Sequence, residues 1–149
     1  MEAEGIPIEA ITPQNEPLNR GNSASLFMGW EEQLSFVRDA LGPKLKETGL
    51  KTKIYAFDHN YNYDNMLEQQ DYPMKIYEDE NAASFLTGAA YHNYGGDREE
   101  LNNVNGKFPD KELIFTETSI GMWNDGRNLE KRLMEDMEET ALGLSLIHI

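Results

Sequence analysis

The feature that most constrains the fold is a fourfold alternation of short apolar segments with longer amphipathic ones. Each apolar segment has the length of a buried β-strand, and the four cover residues 6–12, 53–57, 87–91 and 112–116. The segments between them carry apolar residues at spacings of three and four, as a helix with one buried face does. Buried strands that alternate with helices predict a parallel sheet covered by helices.

The clearest helix is predicted for residues 29–46, which carry one apolar stripe. Gly42-Pro43 lies near its end and is expected to bend or break the last turn, because proline cannot donate the helical hydrogen bond. Asp97 is expected to cap another helix. The remaining helices are predicted over residues 73–77 and 81–86, and in a last segment that begins after Asn128.

Polar residues follow every predicted strand, whereas the opposite strand ends carry no such cluster. These residues are Asn15 and Glu16; Asp58, His59 and Asn60; His92, Asn93 and Tyr94; and Glu117 and Ser119. The carboxyl ends of parallel strands meet on one face of a (β/α) barrel, which is where barrel active sites lie. The fold class predicted is therefore α/β, a partial (β/α)8 TIM barrel of about four parallel strands with flanking helices.

Two carboxyl groups, Glu16 and Glu117, each follow a predicted strand. A lone glutamate after a strand is usually a solvated loop residue. Two of them could meet in one active site only if the fold brings the ends of parallel strands together, as a (β/α) barrel does.

Composition limits the partners. The 149 residues carry 27 acidic and 13 basic side chains, a formal net charge of −14. This balance argues against binding to nucleic acid through its phosphates, although an acidic surface most often serves only solubility. The chain has no cysteine, and no apolar run reaches the roughly 20 residues of a membrane span. No basic segment followed by an apolar one opens the chain, so no signal peptide is visible.

The histidines His59 and His92, with Asp58, suggest a metal site at first sight. The sequence has neither a helical pair of histidines nor a cysteine set to support it. A packed or substrate-facing histidine is favoured, and neither a metal nor a cofactor is predicted. Tyr61 and Tyr63 remain open between loop packing and a platform for a substrate.

Three segments together resemble glycoside hydrolase family 30, the glucosylceramidase-like retaining glycosidases. They are TPQNEP at 12–17, YHNY at 91–94 and FTETS at 115–119, and ALGPKL at 40–45 and KIYAFD at 53–58 also look like that family. The resemblance covers roughly residues 5–143 and is to strands four to seven of the family's barrel.

The resemblance implies that Glu16 is the general acid/base and Glu117 the nucleophile of a double-displacement mechanism. It implies that Asn15 binds the sugar 2-hydroxyl and that Tyr94 donates to Glu117. The remaining sugar contacts that it implies are His92, Asp58 and Trp123. The implied substrate is a β-glucoside, either a β-1,6-glucan or a glucosylceramide-like compound, and the implied location of the parent protein is secreted or periplasmic.

A complete barrel has eight strands and about 250 residues. The domain expected here is therefore a partial barrel over residues 1–143, beginning with the last turn of a helix and followed by a tail, 144–149, that does not match the family. We expect such a chain alone to be poorly stable and to have little activity. Two other interpretations remain: a non-catalytic carbohydrate-binding or interaction fragment, and a complete small flavodoxin-type domain, for which segment 12–15 is a poor phosphate cradle.

Overall fold

A computed structural model describes residues 5–21, 26–61 and 66–118, together with residues 130 and 134. In this part of the chain four strands form one parallel sheet in chain order. They are β1 (Ala10–Ile11), β2 (Lys53–Asn60), β3 (Gly88–His92) and β4 (Glu112–Glu117). The predicted alternation and the parallel half-barrel with flanking helices are confirmed.

The first strand is shorter than predicted. Only Ala10 and Ile11 pair with β2, whereas the sequence predicted residues 6–12. Pro7 has no N–H to give to a ladder, and the side chain of Ile6 is 57% exposed. The apolar run therefore approaches the sheet only at its end.

The long helix continues through the predicted break. It comprises α1 (Trp30–Phe36), a π-helical turn (Val37–Leu41) and α2 (Gly42–Thr48). Pro43 lies in the first turn of α2, and the backbone N–H of Gly42 reaches back to the carbonyl of Val37. The wider π turn takes up the disturbance that a proline causes in a regular helix, so the helix does not break at Gly42-Pro43 as one form of the prediction had it.

Three further helices cover the sheet: α3 (Tyr72–Tyr77), α4 (Glu80–Phe85) and α5 (Glu99–Lys107), with a short 3-10 turn at Leu67–Gln69 before α3. Asp97 accepts a hydrogen bond from the N–H of Glu99 at 2.9 Å, but the N-cap of α5 is Arg98, so the predicted cap lies one residue too early. The predicted last helix, Trp123 and the tail lie outside the described residues, apart from residues 130 and 134, which are helical.

The core lies between the sheet and these helices, and small residues let β3 run at its centre. A Cβ on Gly88 would lie 1.8 Å from the carbonyl oxygen of Glu112, so only glycine fits between β3 and β4 there. Ala89 and Ala90 are fully buried. Among the helices of the described residues, none has both the length and the apolar character that crossing a bilayer requires.

Candidate active site

A β-bulge in β2 shapes the site. Phe57 pairs with Ala90 and His59 with Tyr91, so Asp58 is an extra residue without its own partner on β3. Phe57 and Asp58 both have positive φ, 73° and 63°, a conformation that costs non-glycine residues about 1–2 kcal/mol each.

The bulge turns Asp58 toward the same face of the sheet as Tyr55. Tyr55 donates to Glu112 on β4, and Asp58 accepts from Thr116 on the same strand. Strict alternation would put residues 55 and 58 on opposite faces, and the extra residue removes that alternation. Phe57 packs instead against Tyr72 of α3, with ring centroids 5.0 Å apart.

Gln33 of α1 supports the bulge from the helix layer. Its side chain is fully buried, and its Oε1 accepts the N–H of Phe57 at 2.9 Å. A buried backbone N–H without an acceptor costs about 1–3 kcal/mol. Gln33 therefore offsets part of the strain that the bulge introduces.

The Asp58 carboxylate connects all four strands. Thr12, which follows β1, donates to its Oδ2 at 2.7 Å, and Thr116 on β4 donates to its Oδ1 at 2.6 Å. His92 on β3 brings Nε2 to 3.1 Å from Oδ1. The carbonyl of Asp58 also accepts the N–H of Glu16 at 2.9 Å. Burial raises the pKa of Asp58, but the hydrogen bonds from His92 and the two threonines outweigh it and leave this pKa below its ordinary value.

His92 lies at the centre of the polar strand ends, with a side chain that is 1% exposed. Its Nδ1 is 3.4 Å from Glu16 Oε1, and its Nε2 is 3.6 Å from Glu117 Oε2 as well as bonded to Asp58. Burial lowers the pKa of His92, but the hydrogen bond to Asp58 and the charges of the three surrounding carboxylates outweigh it, so the pKa is raised above 6.5.

The two predicted catalytic carboxyl groups lie together. One oxygen of Glu16, one oxygen of Glu117 and one ring nitrogen of His92 all lie within 4.8 Å of one another. Glu16, with φ 46°, is the more enclosed, with a side chain 12% exposed against 44% for Glu117. The two carboxyl groups therefore meet at the carboxyl end of the sheet, although β1 and β4 are its two outer strands.

Each glutamate has a neutral donor beside it. Asn19 donates to Glu16 Oε2 at 2.6 Å, and the Tyr94 hydroxyl donates to Glu117 Oε1 at 2.9 Å. Tyr94 is itself held, because its backbone N–H donates to Asn60 Oδ1 at 3.0 Å. The loop after β3 is thus fixed to the end of β2 while its tyrosine reaches β4.

Asn15 and His59 are two further residues that the sequence singled out and that the structure describes. Asn15 is exposed next to Glu16, and its contact with a sugar stays a prediction. His59 is buried, its Nδ1 accepts from the N–H of Asn60, and it does not share the donor group formed by Glu16, His92 and Glu117. That group has the spacing of a cation site, yet both ring nitrogens of His92 already face carboxylates. Trp123 and Tyr63 fall outside the described residues.

Sequence reasoning missed several residues that build the site: Gln33, Thr12, Thr116, Asn19 and Asn60 in its hydrogen-bonding role. Gln33 had a signal, since it is a polar residue beside the apolar stripe of a helix. Thr12 and Thr116 had a weaker sequence signal, since both lie at strand ends.

Known proteins similar to this chain point to one family. The sequence model of the glycosyl hydrolase family 30 TIM-barrel domain matches residues 1–139. The solved structure of the endo-β1,6-glucanase BT3312 superposes with a TM-score of 0.86 at 71% identity, covering 95% of this chain and 31% of that one.

Curated relatives agree. An endo-1,6-β-D-glucanase of Trichoderma harzianum, BGN16.3, is 35% identical over 130 residues, which are 83% of this chain and 25% of that protein. A relative in Caenorhabditis elegans that carries a glucosylceramidase name is 26% identical over 152 residues, 91% of this chain and 29% of that protein. This chain spans between a quarter and a third of the length of these relatives.

Proposed function

The chain belongs to glycosyl hydrolase family 30, and from this we propose that it supplies the two catalytic carboxyl groups of a retaining β-glycoside hydrolase that cleaves β-1,6-glucan. The domain in this proposal is the partial barrel over residues 1–143, with 144–149 outside it. Asn15, His92, Tyr94 and Trp123 are proposed to surround the sugar, and Asp58 to stand behind His92 and hold it.

The observation that carries the proposal is the closeness of Glu16 and Glu117. Their nearest carboxylate oxygens lie within 4.8 Å. Retaining glycosidases hold their two carboxyl groups about 5–5.5 Å apart, whereas inverting enzymes need about 6.5–9.5 Å to admit a water. The separation therefore supports direct attack by one carboxylate on the sugar.

The surroundings of the two groups support their assignment. Glu16 is the more enclosed, which favours a carboxyl group that carries a proton to the leaving oxygen. Glu117 is more open and is oriented by Tyr94, as a nucleophile requires. Glu117 attacks the anomeric carbon while the glycosidic C–O bond breaks and Glu16 protonates the departing oxygen. Glu16 then takes a proton from water, which attacks the same carbon and releases Glu117.

The open sheet leads us to propose that the chain alone turns over little substrate. In the described residues β1 and β4 each pair with one strand only, and Phe115 on β4 is 37% exposed. A sugar held by half a pocket loses the positioning on which rate depends.

The test uses the 149-residue chain and a chimera in which the chain replaces the matching third of BT3312. A mechanism-based 2-fluoro-β-glucoside is added, and the labelled peptide is identified by mass spectrometry. We expect the label on Glu117 in the chimera. Glu117→Gln should abolish it, and Glu47→Gln, at an exposed glutamate of α2, should not change it.

Turnover of the chimera on β-1,6-glucan, β-1,3-glucan and glucosylceramide tests the substrate. We expect β-1,6-glucan to be preferred, with Glu16→Gln reducing turnover by about 10²–10⁴. A label on another residue, or inverted product configuration, would refute the retaining proposal. Glucan binding that survives Glu117→Gln, with no turnover in any form, would instead support the carbohydrate-binding interpretation.

A further inference from the structure

Carboxylates surround His92 from three other elements. Glu16 approaches from the loop after β1, Asp58 from β2 and Glu117 from β4. From the loop after β3 the ring of Tyr94 stands edge-on at 6.0 Å, and from β2 the ring of His59 lies 6.3 Å away. Among the described residues, the charged neighbours of this histidine are thus acidic.

The two ring nitrogens of His92 both meet acceptors. Nε2 faces Asp58 Oδ1 and Nδ1 faces Glu16 Oε1. A neutral imidazole has one N–H and one lone pair, whereas the imidazolium has two N–H donors. The Asp58 carboxylate only accepts, and Oε1 of Glu16 can accept either as a carboxylate oxygen or as the carbonyl oxygen of the protonated acid. The doubly protonated ring therefore satisfies both contacts in either state of Glu16.

We propose that Asp58 is a positioning residue that holds His92 as an imidazolium between the two catalytic carboxyl groups. This rests on the proposed function for its catalytic meaning, but the protonation state of His92 can be tested without it. His92 then supplies a fixed positive charge in a site that contains three carboxyl groups.

Asp58 is suited to this role because its charge does not change during the reaction. Glu117 loses its charge when it bonds to the sugar, and Glu16 alternates between acid and base. Asp58 accepts from two threonines and from His92 at once, and these bonds favour its ionised form. The raised pKa of His92 and the lowered pKa of Asp58 agree with such a pair.

The first test measures the protonation of His92 by ¹⁵N NMR of histidine-labelled chain, with His92→Asn used to assign its signals. We expect both ring nitrogens to carry protons at pH 6.5. In Asp58→Asn the proton affinity of the ring should fall about tenfold or more. Thr12→Val is the matched control, since it removes the hydrogen bond that Thr12 donates to Asp58 Oδ2 but keeps the charge of Asp58. The titration of His92 in this variant should stay close to that in the unaltered chain.

Two results would overturn the proposal. One is a bare Nδ1 at pH 6.5, which would mean that His92 is neutral beside Glu16. The other is an unchanged titration in Asp58→Asn. If amide signals of the chain alone show no folded dispersion, the same titration in the BT3312 chimera decides between these outcomes.

The second test is the pH profile of the chimera on β-1,6-glucan. Activity that needs the imidazolium is lost as pH rises through the pKa of His92, so Asp58→Asn should move the high-pH limb to lower pH. A purely structural role would lower kcat at every pH without moving the limb. If the chimera has no turnover while NMR shows the imidazolium, the proposed function fails and this inference stands.

Discussion

Gly95 and Gly96, in the loop that carries Tyr94 toward Glu117, should respond very differently to the same substitution. Gly96 has φ 87°, and a Cβ there would lie 1.6 Å from the carbonyl oxygen of Tyr61. A Cβ on Gly95 would meet nothing within 4 Å. Gly96→Ala is thus the perturbation and Gly95→Ala its control.

The magnitude follows from the geometry. Ordinary contact begins at 3.4 Å, so the loop must move by 3.4 − 1.6 = 1.8 Å to admit the methyl group. Positive φ costs alanine about 1–2 kcal/mol, and overpacking adds about 1–3 kcal/mol. If the loop stays in place, the free energy of unfolding falls by about 2–5 kcal/mol, a large part of the roughly 5–15 kcal/mol of a typical domain. If it moves, Tyr94 leaves Asn60 and Glu117.

The assay combines urea denaturation with hydrogen exchange, in the chain and in the BT3312 chimera. Gly96→Ala should lower the free energy of unfolding or release the Tyr94 amide, which donates to Asn60 in the parent. Gly95→Ala should do neither. The reasoning is refuted if the two variants differ by less than about 0.5 kcal/mol and protect the Tyr94 amide equally.

Three further outcomes are expected. Gln33→Leu removes the acceptor of the Phe57 N–H and should lower the free energy of unfolding by about 1–3 kcal/mol, measured against Ser35→Ala, whose hydroxyl is exposed; equal losses would contradict it. Tyr94→Phe removes the donor to Glu117 and should lower kcat of the chimera about tenfold or more, with KM nearly unchanged; a change confined to KM would contradict it. The stability lost in Asp58→Asn should depend on pH. The Asp58 contribution is present above its ordinary pKa of 3.8 and is lost as pH falls through its lowered pKa. The His92 contribution is present below 6.5 and is lost as pH rises through its raised pKa. Denaturation at several pH values should therefore show the largest difference between about pH 3.8 and 6.5, and a constant difference would contradict the pairing.

The order of strands and helices could be predicted from the sequence, and so could the end of the sheet at which the candidate site lies. Hydrophobic periodicity is local, and parallel strands necessarily bring their carboxyl ends to one edge, so Glu16 and Glu117 could be expected to meet. The family resemblance assigned their roles, and those roles remain to be tested.

The bulge in β2 could not be predicted. Bulges often use glycine, and Phe57 carries no local signal for positive φ. Aspartate adopts positive φ more often than most residues, but Asp58 alone is too weak a signal to locate a bulge. The contacts that hold both residues come from α1 and from the loop after β1, far away in the chain. The prediction of a break at Gly42-Pro43 failed for a related reason, since a helix can widen by one residue instead of ending.

The bulge in β2 also decides which side chains of this strand face the site and which face the helices. Tyr55 before the bulge and Asp58, the extra residue itself, face the same side, and Phe57 faces the helices. Removing one residue from this strand would exchange an anion for a phenyl ring beside His92, with little change in the outline of the fold. A single-codon deletion here would therefore alter chemistry far more than architecture.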